Sequence, residues 1–267
     1  MPVFNGIIKS DNNSLVRKPT TSFAGIVGFP LTYAVLPYSQ PNNLVGWFNN
    51  ADGITTATGV SAWTDRISGA ILAQSTAALQ PTYTQQVQSL NGKNKIAFTP
   101  TQYISAGDSF DVRTNTGYTV QCYAKITAVG GTNRQLIGKG PLAAAPTIVG
   151  EYQIGHNGSN YCCRFFDNVS LKTTGTFAVD TNNYYLYSMV IDITNSLLSF
   201  YVNEKAVGTG TISNTAVDYN NGSAFFVGSN ASIATSEVLE VLVYQTALTQ
   251  IEIAQNTKSF KSKFGQI

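Results

Sequence analysis

The chain has 267 residues, of which 43% are hydrophobic and only 11% are charged, and its formal net charge is +2. An average domain has about 25% charged residues, so Asn, Thr, Ser, Gln and Gly take their place on this surface. Without a concentrated basic face, nucleic-acid binding is excluded as the main function. The length fits one large β-rich domain with or without an appendage, and such a neutral surface is common in extracellular and viral structural proteins.

Residues 1–42 differ in composition from the rest of the chain. Five of the nine prolines fall within the first 41 residues. Proline interrupts the hydrogen-bond ladder of a sheet, so this segment is predicted to be an extended arm rather than a central strand. Its rings and cations are candidates for docking on a partner: Phe4, Arg17, Lys18, Phe23, Phe29, Tyr33 and Tyr38. Wrapping of the arm around its own domain is the alternative.

The opening residues MPVFNGIIKSDNNS lack the basic start and apolar core of a signal peptide, and no apolar run reaches the length of a membrane span. We therefore expect synthesis in a cytoplasm and no membrane insertion. The three cysteines, Cys122 and the adjacent pair Cys162 and Cys163, form neither a disulfide framework nor a zinc spacing. Cys122 is in phase with apolar residues on one face of a predicted strand, so a reduced core position is expected.

From residue 43 to residue 267 the sequence alternates between short β-rich runs and turns. GYTVQCYAKIT, YYLYSMVIDI and EVLEVLVY are typical runs, and separators such as NADG, HNGSN and YNNGS carry hairpin signals. So many strands with almost no helical period predict an all-β antiparallel sandwich or barrel. One short helix is expected after the last strand, where Thr249 and Glu252 have the spacing of a capping box.

The stretch VSAWTDRISGA reads as a strand that runs into a turn. Trp63 is a large apolar anchor, and Asp65 is short enough to hydrogen-bond nearby backbone. Ser68 and Gly69 provide the tight reversal that follows.

The order of seven segments resembles the concanavalin A-like lectin/glucanase superfamily, above all its laminin-G-like jelly-roll branch. The segments are LVGWFNNADGIT, VSAWTDRISG, QPTYTQQVQSLNGKNKIAF, YTVQCYAKI, LLSFYVNEKAVGTG, FFVG and LEVLVYQTALTQIEI. The resemblance covers about residues 43–264 and implies two antiparallel sheets, one of them concave. It also implies structural roles: Trp63 packs into the sandwich, Asp65 bonds backbone, Glu240 is the acidic residue of the last strand, and Tyr244 packs against the helix.

Catalytic groups of the superfamily's glucanases have no counterpart in this sequence. Those enzymes carry Glu-x-Asp-x-(x)-Glu on one strand, so that alternation points the acids into one cleft. Here the nearest pair, Glu237 and Glu240, is three residues apart and would face opposite sides of a regular strand. The single histidine, His156, lies in IGHNGSN, where an exposed hairpin tip is expected rather than a catalytic triad. We predict that the protein is not an enzyme.

Calcium is the one open question about metals, and no other cofactor is expected. GDSFD offers Asp108 and Asp111, while NNADG offers Asn49, Asn50 and Asp52. Hard cations take six or more oxygen ligands and usually several carboxylates. Neither segment is that acidic, so turn chemistry is the favoured interpretation of both.

Two classes of function fit these observations. The first is a non-enzymatic structural, decoration or adhesin protein of a bacteriophage virion, made in the host cytoplasm. Its arm would dock on other capsid or tail proteins within an oligomeric assembly, and its sandwich would face host or mucus glycans. The second is a stand-alone carbohydrate-binding module, for which aromatic rings on an exposed face would be evidence. The first hypothesis depends on analogy, because fold alone does not assign function.

Overall fold

The computed structural model describes residues 41–112, 117–128, 134–140, 151–167, 169–213, 222–228 and 235–266. It also describes two short strands, β1 (Ile8–Lys9) and β2 (Leu15–Val16), which pair antiparallel in a sheet of their own. All seven candidate docking residues of the predicted arm lie outside the described residues: Phe4, Arg17, Lys18, Phe23, Phe29, Tyr33 and Tyr38. The proposed role of the arm therefore stays a prediction.

Within the described residues the body contains seventeen further strands, one α-helix and three short 3-10 turns. The strands are β3 (Leu44–Asn49), β4 (Ile54–Thr56), β5 (Val60–Thr64), β6 (Ile71–Ala73), β7 (Thr82–Val87), β8 (Lys93–Phe98), β9 (Tyr103–Ala106), β10 (Tyr118–Ala128), β11 (Arg134–Lys139), β12 (Tyr152–Asn157), β13 (Asn160–Phe166), β14 (Leu171–Ala178), β15 (Tyr185–Asp192), β16 (Leu197–Val202), β17 (Lys205–Thr211), β18 (Phe225–Gly228) and β19 (Thr235–Tyr244). The helix is α1 (Gln250–Phe264), and the 3-10 turns are Pro41–Asn43, Ala77–Leu79 and Gln88–Leu90.

These strands form two antiparallel sheets. The helix-side sheet has the order β17-β16-β15-β10-β19-β8-β7, and β3 pairs with β19 next to β8. The opposite sheet has the order β14-β13-β12-β11-β18-β9-β6-β5-β4. The prediction of an all-β antiparallel sandwich followed by one helix is confirmed.

The main core lies between the two sheets, because alternate residues of the central strands point inward. On β10 the inward residues are buried without a break: Tyr118, Val120, Cys122, Ala124 and Ile126. Trp63 and Leu72 of the opposite sheet belong to the same core. The core position expected for Cys122 is confirmed.

A second, smaller core lies between the helix-side sheet and α1. Phe260 and Phe264 of the helix stack on Tyr123 of β10, with ring centroids 5.3 Å and 5.4 Å from it. Leu239 and Leu242 of β19 belong to the same cluster. The helix therefore covers the outward face of this sheet. It is neither long nor apolar enough to cross a membrane.

Sequence signals at both ends of α1 match the structure. The Thr249 hydroxyl accepts a hydrogen bond from the Glu252 backbone N–H at 3.3 Å, and the Glu252 carboxylate accepts one from the Thr249 backbone at 2.7 Å. This is the capping box predicted from the spacing of the two residues. Gly265 ends the helix in the left-handed conformation, with φ of 67°.

The two long edges of the sandwich differ. At one edge β14 and β17 touch so closely that a Cβ on Gly208 would lie 2.3 Å from the Gly175 nitrogen. Only a residue without a side chain fits there. At the other edge the end strands are β4 and β7, and an open cleft separates them.

Candidate functional site

Asp65 organises the turn that the sequence singled out. Its buried carboxylate accepts hydrogen bonds from the backbone N–H groups of Trp47, Ile67 and Ser68. The Ser68 hydroxyl donates to it as well, at 2.5 Å. Gly69 follows in the left-handed conformation with φ of 77°. Because Trp47 belongs to the helix-side sheet, Asp65 ties the end of β5 to the other layer of the sandwich.

Trp63 lies in the core rather than at a surface. It is fully buried and packs edge-on against Phe48, with ring centroids 5.5 Å apart. Its indole N–H donates to the Asn49 carbonyl at 2.9 Å. Trp63 and Asp65 thus both hold the two sheets together, and neither side chain is available to a ligand.

Glu240 and Tyr244 of β19 face the helix. Glu240 is buried in an ion pair with Lys263, and its burial, partly offset by that lysine, raises the pKa of the carboxyl group. The Tyr244 hydroxyl accepts a hydrogen bond from the Asn256 side chain at 3.0 Å. Asn256 also donates to the Gln121 side chain at 2.7 Å. The two β19 residues therefore position α1.

Glu237 and Glu240 lie on the same side of β19, so the expectation that they face opposite sides is wrong. A bulge at Leu239 interrupts the pairing of β19 with β10. The extra residue shifts the alternation of side chains by one position, so both acids point to the helix side. Glu237 accordingly meets Tyr184, which packs against the helix-side core, and Glu240 meets Lys263 of α1.

Both acids are already paired with cations. Glu237 contacts the ammonium groups of Lys95 at 2.5 Å and Lys125 at 3.2 Å, and it accepts a hydrogen bond from the Tyr184 hydroxyl. Burial raises the pKa of Glu237, but the bonds from Lys95 and Tyr184 and the charge of Lys125 outweigh burial and hold that pKa below its usual value. A general acid needs the opposite shift.

His156 is buried within β12, so the expected exposed hairpin tip is wrong for this residue. Strand β12 continues one residue beyond it, and the turn falls on Gly158 and Ser159. The imidazole Nδ1 lies 2.9 Å from the Gly158 carbonyl oxygen. The histidine therefore packs on the sheet beside the turn instead of projecting from it.

The three cysteines are free and buried. Burial raises the pKa of Cys122, Cys162 and Cys163, with the Arg164 charge offsetting part of the effect at Cys162. Thiols of this kind stay protonated at neutral pH and are poor nucleophiles.

Asp108 and Asp111, for which the sequence favours turn chemistry over calcium, surround a lysine instead, so the favoured interpretation is wrong for this segment. The ammonium of Lys139, which is completely buried on β11, contacts Asp108 at 2.5 Å and also pairs with Asp111. Glu151 lies 3.4 Å from the same nitrogen. The positive charge that a metal ion would supply at this cluster is thus supplied by the chain itself.

The second calcium candidate is held by turn chemistry. Asp52 pairs with Arg66, and the Asn49 side chain accepts a hydrogen bond from the Ala51 backbone at 2.8 Å. The Asn50 side-chain amide donates to the Asn94 carbonyl. Across the described ranges, no group of three or more His, Cys, Asp or Glu side chains is arranged to hold a metal ion.

The open cleft between β4 and β7, hereafter the edge cleft, has a volume of about 400 Å³. It is lined by Thr56, Thr58, Gly59, Thr82, Tyr83, Thr84 and Gln85. None of these residues is charged. The volume falls within the range of ligand sites, but the lining is far more polar than that of a typical small-molecule pocket.

Tyr83 is fixed in place within the edge cleft. Its ring packs against the main core, and its hydroxyl donates to the Asn50 carbonyl at 3.1 Å. The Asn94 amide donates to the same hydroxyl at 2.6 Å. Burial raises the pKa of Tyr83, so the hydroxyl is neutral at ordinary pH. Thr82 and Thr84, the neighbours of Tyr83 in sequence, are exposed.

One end of the edge cleft is closed by contacts between its two walls. The Gly59 backbone N–H donates to the Gln80 side chain at 3.0 Å, and the Val60 N–H donates to the Pro81 carbonyl at 2.8 Å. A Cβ on Gly59 would lie 2.5 Å from that carbonyl oxygen. The turn after β4 is thus fastened to the segment before β7, and the cleft is formed before any ligand arrives.

A second cleft, hereafter the helix groove, runs beside α1 and has a volume of about 820 Å³. It is lined by Asn91, Glu204, Ala254, Thr257, Lys258, Lys261, Ser262, Gly265 and Gln266. None of the site residues predicted from the sequence lines either cleft. A local signal for the edge cleft is present in QPTYTQQVQ, where threonines flank a tyrosine in sequence, but nothing in that segment shows that β4 lies beside it.

Comparisons with known proteins agree on the fold. A laminin-G family model described as the concanavalin A-like lectin/glucanases superfamily matches residues 98–254. No curated protein sequence matches the chain. Among solved structures, the sialidase of Trypanosoma rangeli is similar at a TM-score of 0.59 and 12% identity, over 84% of this chain and 34% of that one.

The ligand-binding domain of botulinum neurotoxin serotype D, in complex with N-acetylneuraminic acid, is similar at a TM-score of 0.53 and 11% identity. The match covers 82% of this chain and 51% of that one. The chain therefore spans about a third of the sialidase and about half of the toxin domain. At such low identities the likeness concerns the fold alone.

Proposed function

Because the chain belongs to the concanavalin A-like lectin/glucanases superfamily, we propose that it is a non-catalytic, lectin-like module that binds polysaccharide weakly in the edge cleft. The observation that carries this proposal is the lining of that cleft. Four threonines, one glutamine and a fixed tyrosine line a pre-formed space without a charged side chain.

The chemistry of the lining suits a neutral sugar. Each threonine hydroxyl both donates and accepts hydrogen bonds, and so does the glutamine amide. Sugar hydroxyls likewise both donate and accept hydrogen bonds. The Tyr83 ring adds an apolar surface. The hydroxyl group of this tyrosine is already hydrogen-bonded to Asn50 and Asn94. Since the cleft is open and polar, a single site binds weakly, and many copies in one assembly would provide the avidity.

Solved structures of similar fold support sugar binding in a general sense. The toxin domain was solved in complex with N-acetylneuraminic acid, and the Trypanosoma rangeli sialidase was solved in complex with sialic acid. Those ligands belong to those proteins. For this chain, the uncharged lining of the edge cleft favours neutral sugars over acidic ones.

Binding of neutral polysaccharides by the pure chain tests the proposal. The double variant T56V/T84V removes two exposed hydroxyls from the cleft and keeps the side-chain shape. At about 0.5–1.5 kcal/mol per neutral hydrogen bond, the loss of two such bonds should lower the affinity about 5- to 150-fold by calorimetry. The control T209V removes an exposed hydroxyl from β17 outside the cleft. Equal affinities in all three proteins would refute the site, and release of reducing ends would refute its non-catalytic character.

We further propose that this module works in a bacteriophage virion, docked through residues 1–42 on capsid or tail proteins. The proline-rich, aromatic composition of that segment and the low charge of the whole chain support this setting. Immunogold labelling of purified particles tests it, and label at regular positions is expected. A pure monomer that binds a glycan with saturation, and that no particle carries, would favour the stand-alone carbohydrate-binding module instead.

A further inference from the structure

The helix groove differs from the edge cleft in charge, and it indicates a second class of ligand. We propose that the helix groove binds an acidic sugar, with its carboxylate held between Lys258 and Lys261. This site is separate from the edge cleft and goes beyond the binding of neutral polysaccharide.

The wall formed by α1 has a regular arrangement. Ala254, Lys258, Lys261 and Gly265 follow one another at spacings of four, three and four residues, so they form a single stripe along the helix. Small residues stand at both ends of the stripe, and the two long cationic side chains stand in the middle. Residues three apart on a helix have Cβ atoms about 5–6 Å from each other, so both ammonium groups can reach one carboxylate.

Lys258 and Lys261 are not held in the ion pair that fastens α1 to the sheet. Of the three lysines near the C-terminus, Lys263 forms the buried ion pair with Glu240. Lys258 and Lys261 have no ion-pair partner in the part of the chain that the structure describes. Glu204 is the single acidic residue among those that line the groove.

The helix dipole does not explain both cations. Its attraction for positive charge is confined to about the last turn of a helix. Lys261 lies within that turn, but Lys258 is further from the end of α1 at Phe264. Lys258 is thus an exposed cation beside a cavity, about one helical turn from Lys261, and this arrangement suits the binding of an anion.

The other wall offers hydrogen bonds and is held in place at both ends. The Gln250 amide donates to the Glu204 carbonyl at 3.1 Å, which fixes the hairpin between β16 and β17 against the helix. At the far end the Gln266 amide donates to the Ser89 carbonyl at 3.2 Å. Asn91, beside it, is exposed and lines the groove, so its amide is available to sugar hydroxyls.

The test compares trigalacturonate with its fully methyl-esterified form, which has the same sugars without the charge. Titration of the full chain is followed by nuclear magnetic resonance in buffer that contains a calcium chelator. We expect trigalacturonate to bind, and the ester to bind the groove at least about tenfold more weakly, as for the loss of a hydrogen bond to a charged group. Raising the salt concentration should weaken the binding of trigalacturonate and leave the binding of its ester unchanged.

The variant K258Q/K261Q should lower the affinity for trigalacturonate by at least about tenfold and leave the melting temperature unchanged. The matched control K205Q removes an exposed lysine that does not line the groove, and it should bind like the wild type. Retention of affinity in K258Q/K261Q would overturn the proposal, as would full displacement by an equal concentration of inorganic phosphate, which would show recognition of charge alone.

The two proposed sites can be tested independently of each other. T56V/T84V should keep its affinity for trigalacturonate, and K258Q/K261Q should keep its affinity for neutral polysaccharide. If T56V/T84V lost the acidic ligand and K258Q/K261Q did not, the acidic sugar would belong in the edge cleft and the assignment to the helix groove would be wrong.

Discussion

Replacement of Lys139 should lower the stability of this sandwich strongly for only a small change in side-chain shape. Its ammonium is completely buried, and two of the carboxylates around it, Asp111 and Glu151, are only 2% and 1% exposed. The variant K139M keeps most of the aliphatic stem and removes the charge. Two buried carboxylates then lose their cation, which costs about 3–5 kcal/mol when a buried pair is broken.

The loss should be measured by urea denaturation at pH 7. In a domain of this size, about 3–5 kcal/mol corresponds to a fall of about 6–20 °C in melting temperature. The control K172M removes a lysine whose side chain is 32% exposed and which lies 3.5 Å from Asp167. That ammonium is partly solvated, and the buried Asp167 carboxylate keeps its hydrogen bonds from the backbone N–H groups of Val169, Ser170 and Ser213. The loss of Lys172 should therefore cost less than about 1 kcal/mol.

A second substitution separates charge from packing. In K139M/D111N one of the buried carboxylates is replaced by a neutral amide of the same shape, so part of the lost stability should return. If K139M cost less than about 1 kcal/mol, the buried ion cluster would be no stronger than an exposed pair. If D111N failed to restore stability in the K139M background, the loss would come from packing and the electrostatic argument would be refuted.

Three further predictions follow from the structure. G59A should weaken binding of neutral polysaccharide and lower the melting temperature, because the added Cβ would push apart the two walls of the edge cleft; unchanged calorimetry and melting would contradict this. Burial raises the pKa of Glu240 above its ordinary 4.5, so its contribution to stability is lost as the pH rises through the folded value. E240Q should therefore gain stability relative to the wild type between pH 4 and pH 7 in urea denaturation, and a constant difference would contradict the shift. Residues 43–267 alone should fold with a normal melting transition but fail to enter particles; normal incorporation would exclude docking by residues 1–42, and failure to fold would favour wrapping.

The parts of the fold that depend on local sequence could be predicted. Period-two alternation and turn residues give the strands, and the Thr249 capping box places the start of α1. The Asp65 turn also follows from short-range chemistry, because Ile67 and Ser68 supply most of its hydrogen bonds. In each of these cases the interacting groups lie within a few residues of one another.

What could not be predicted depends on single-residue shifts or distant partners. One bulge at Leu239 moves Glu237 to the side of Glu240, and nothing in EVLEVLVY marks that position. One additional strand residue after His156 moves the histidine from the turn into the sheet. Lys139 lies 28 residues from Asp111, in a GKGP segment that suggests a loop and gives no sign of a buried cation.

The sequence does not show which segments come together to form either cleft, for a related reason. The edge cleft joins end strands of two different sheets, and no ladder pairs β4 with β7. The helix groove joins α1 to two hairpins that are far from it in sequence. A ligand site built at an edge between layers has no local pattern, whereas the strands that form it do.

The two clefts are connected by one segment, and this has a consequence for long polysaccharides. Gln85 lines the edge cleft and Asn91 lines the helix groove. Six residues of fully extended chain span at most about 20 Å, so the near ends of the two sites are within that distance. We expect a polysaccharide with neutral sugars followed by an acidic one to occupy both proposed sites on the same molecule. Its second contact is then intramolecular, so its affinity should exceed that of either half.

Calorimetry with mixed oligosaccharides of increasing length tests this, and the affinity should rise steeply once both sites are reached. In K258Q/K261Q that rise should vanish while binding of the neutral half stays as in the wild type. A smooth increase with length in both proteins would show that the two clefts act independently.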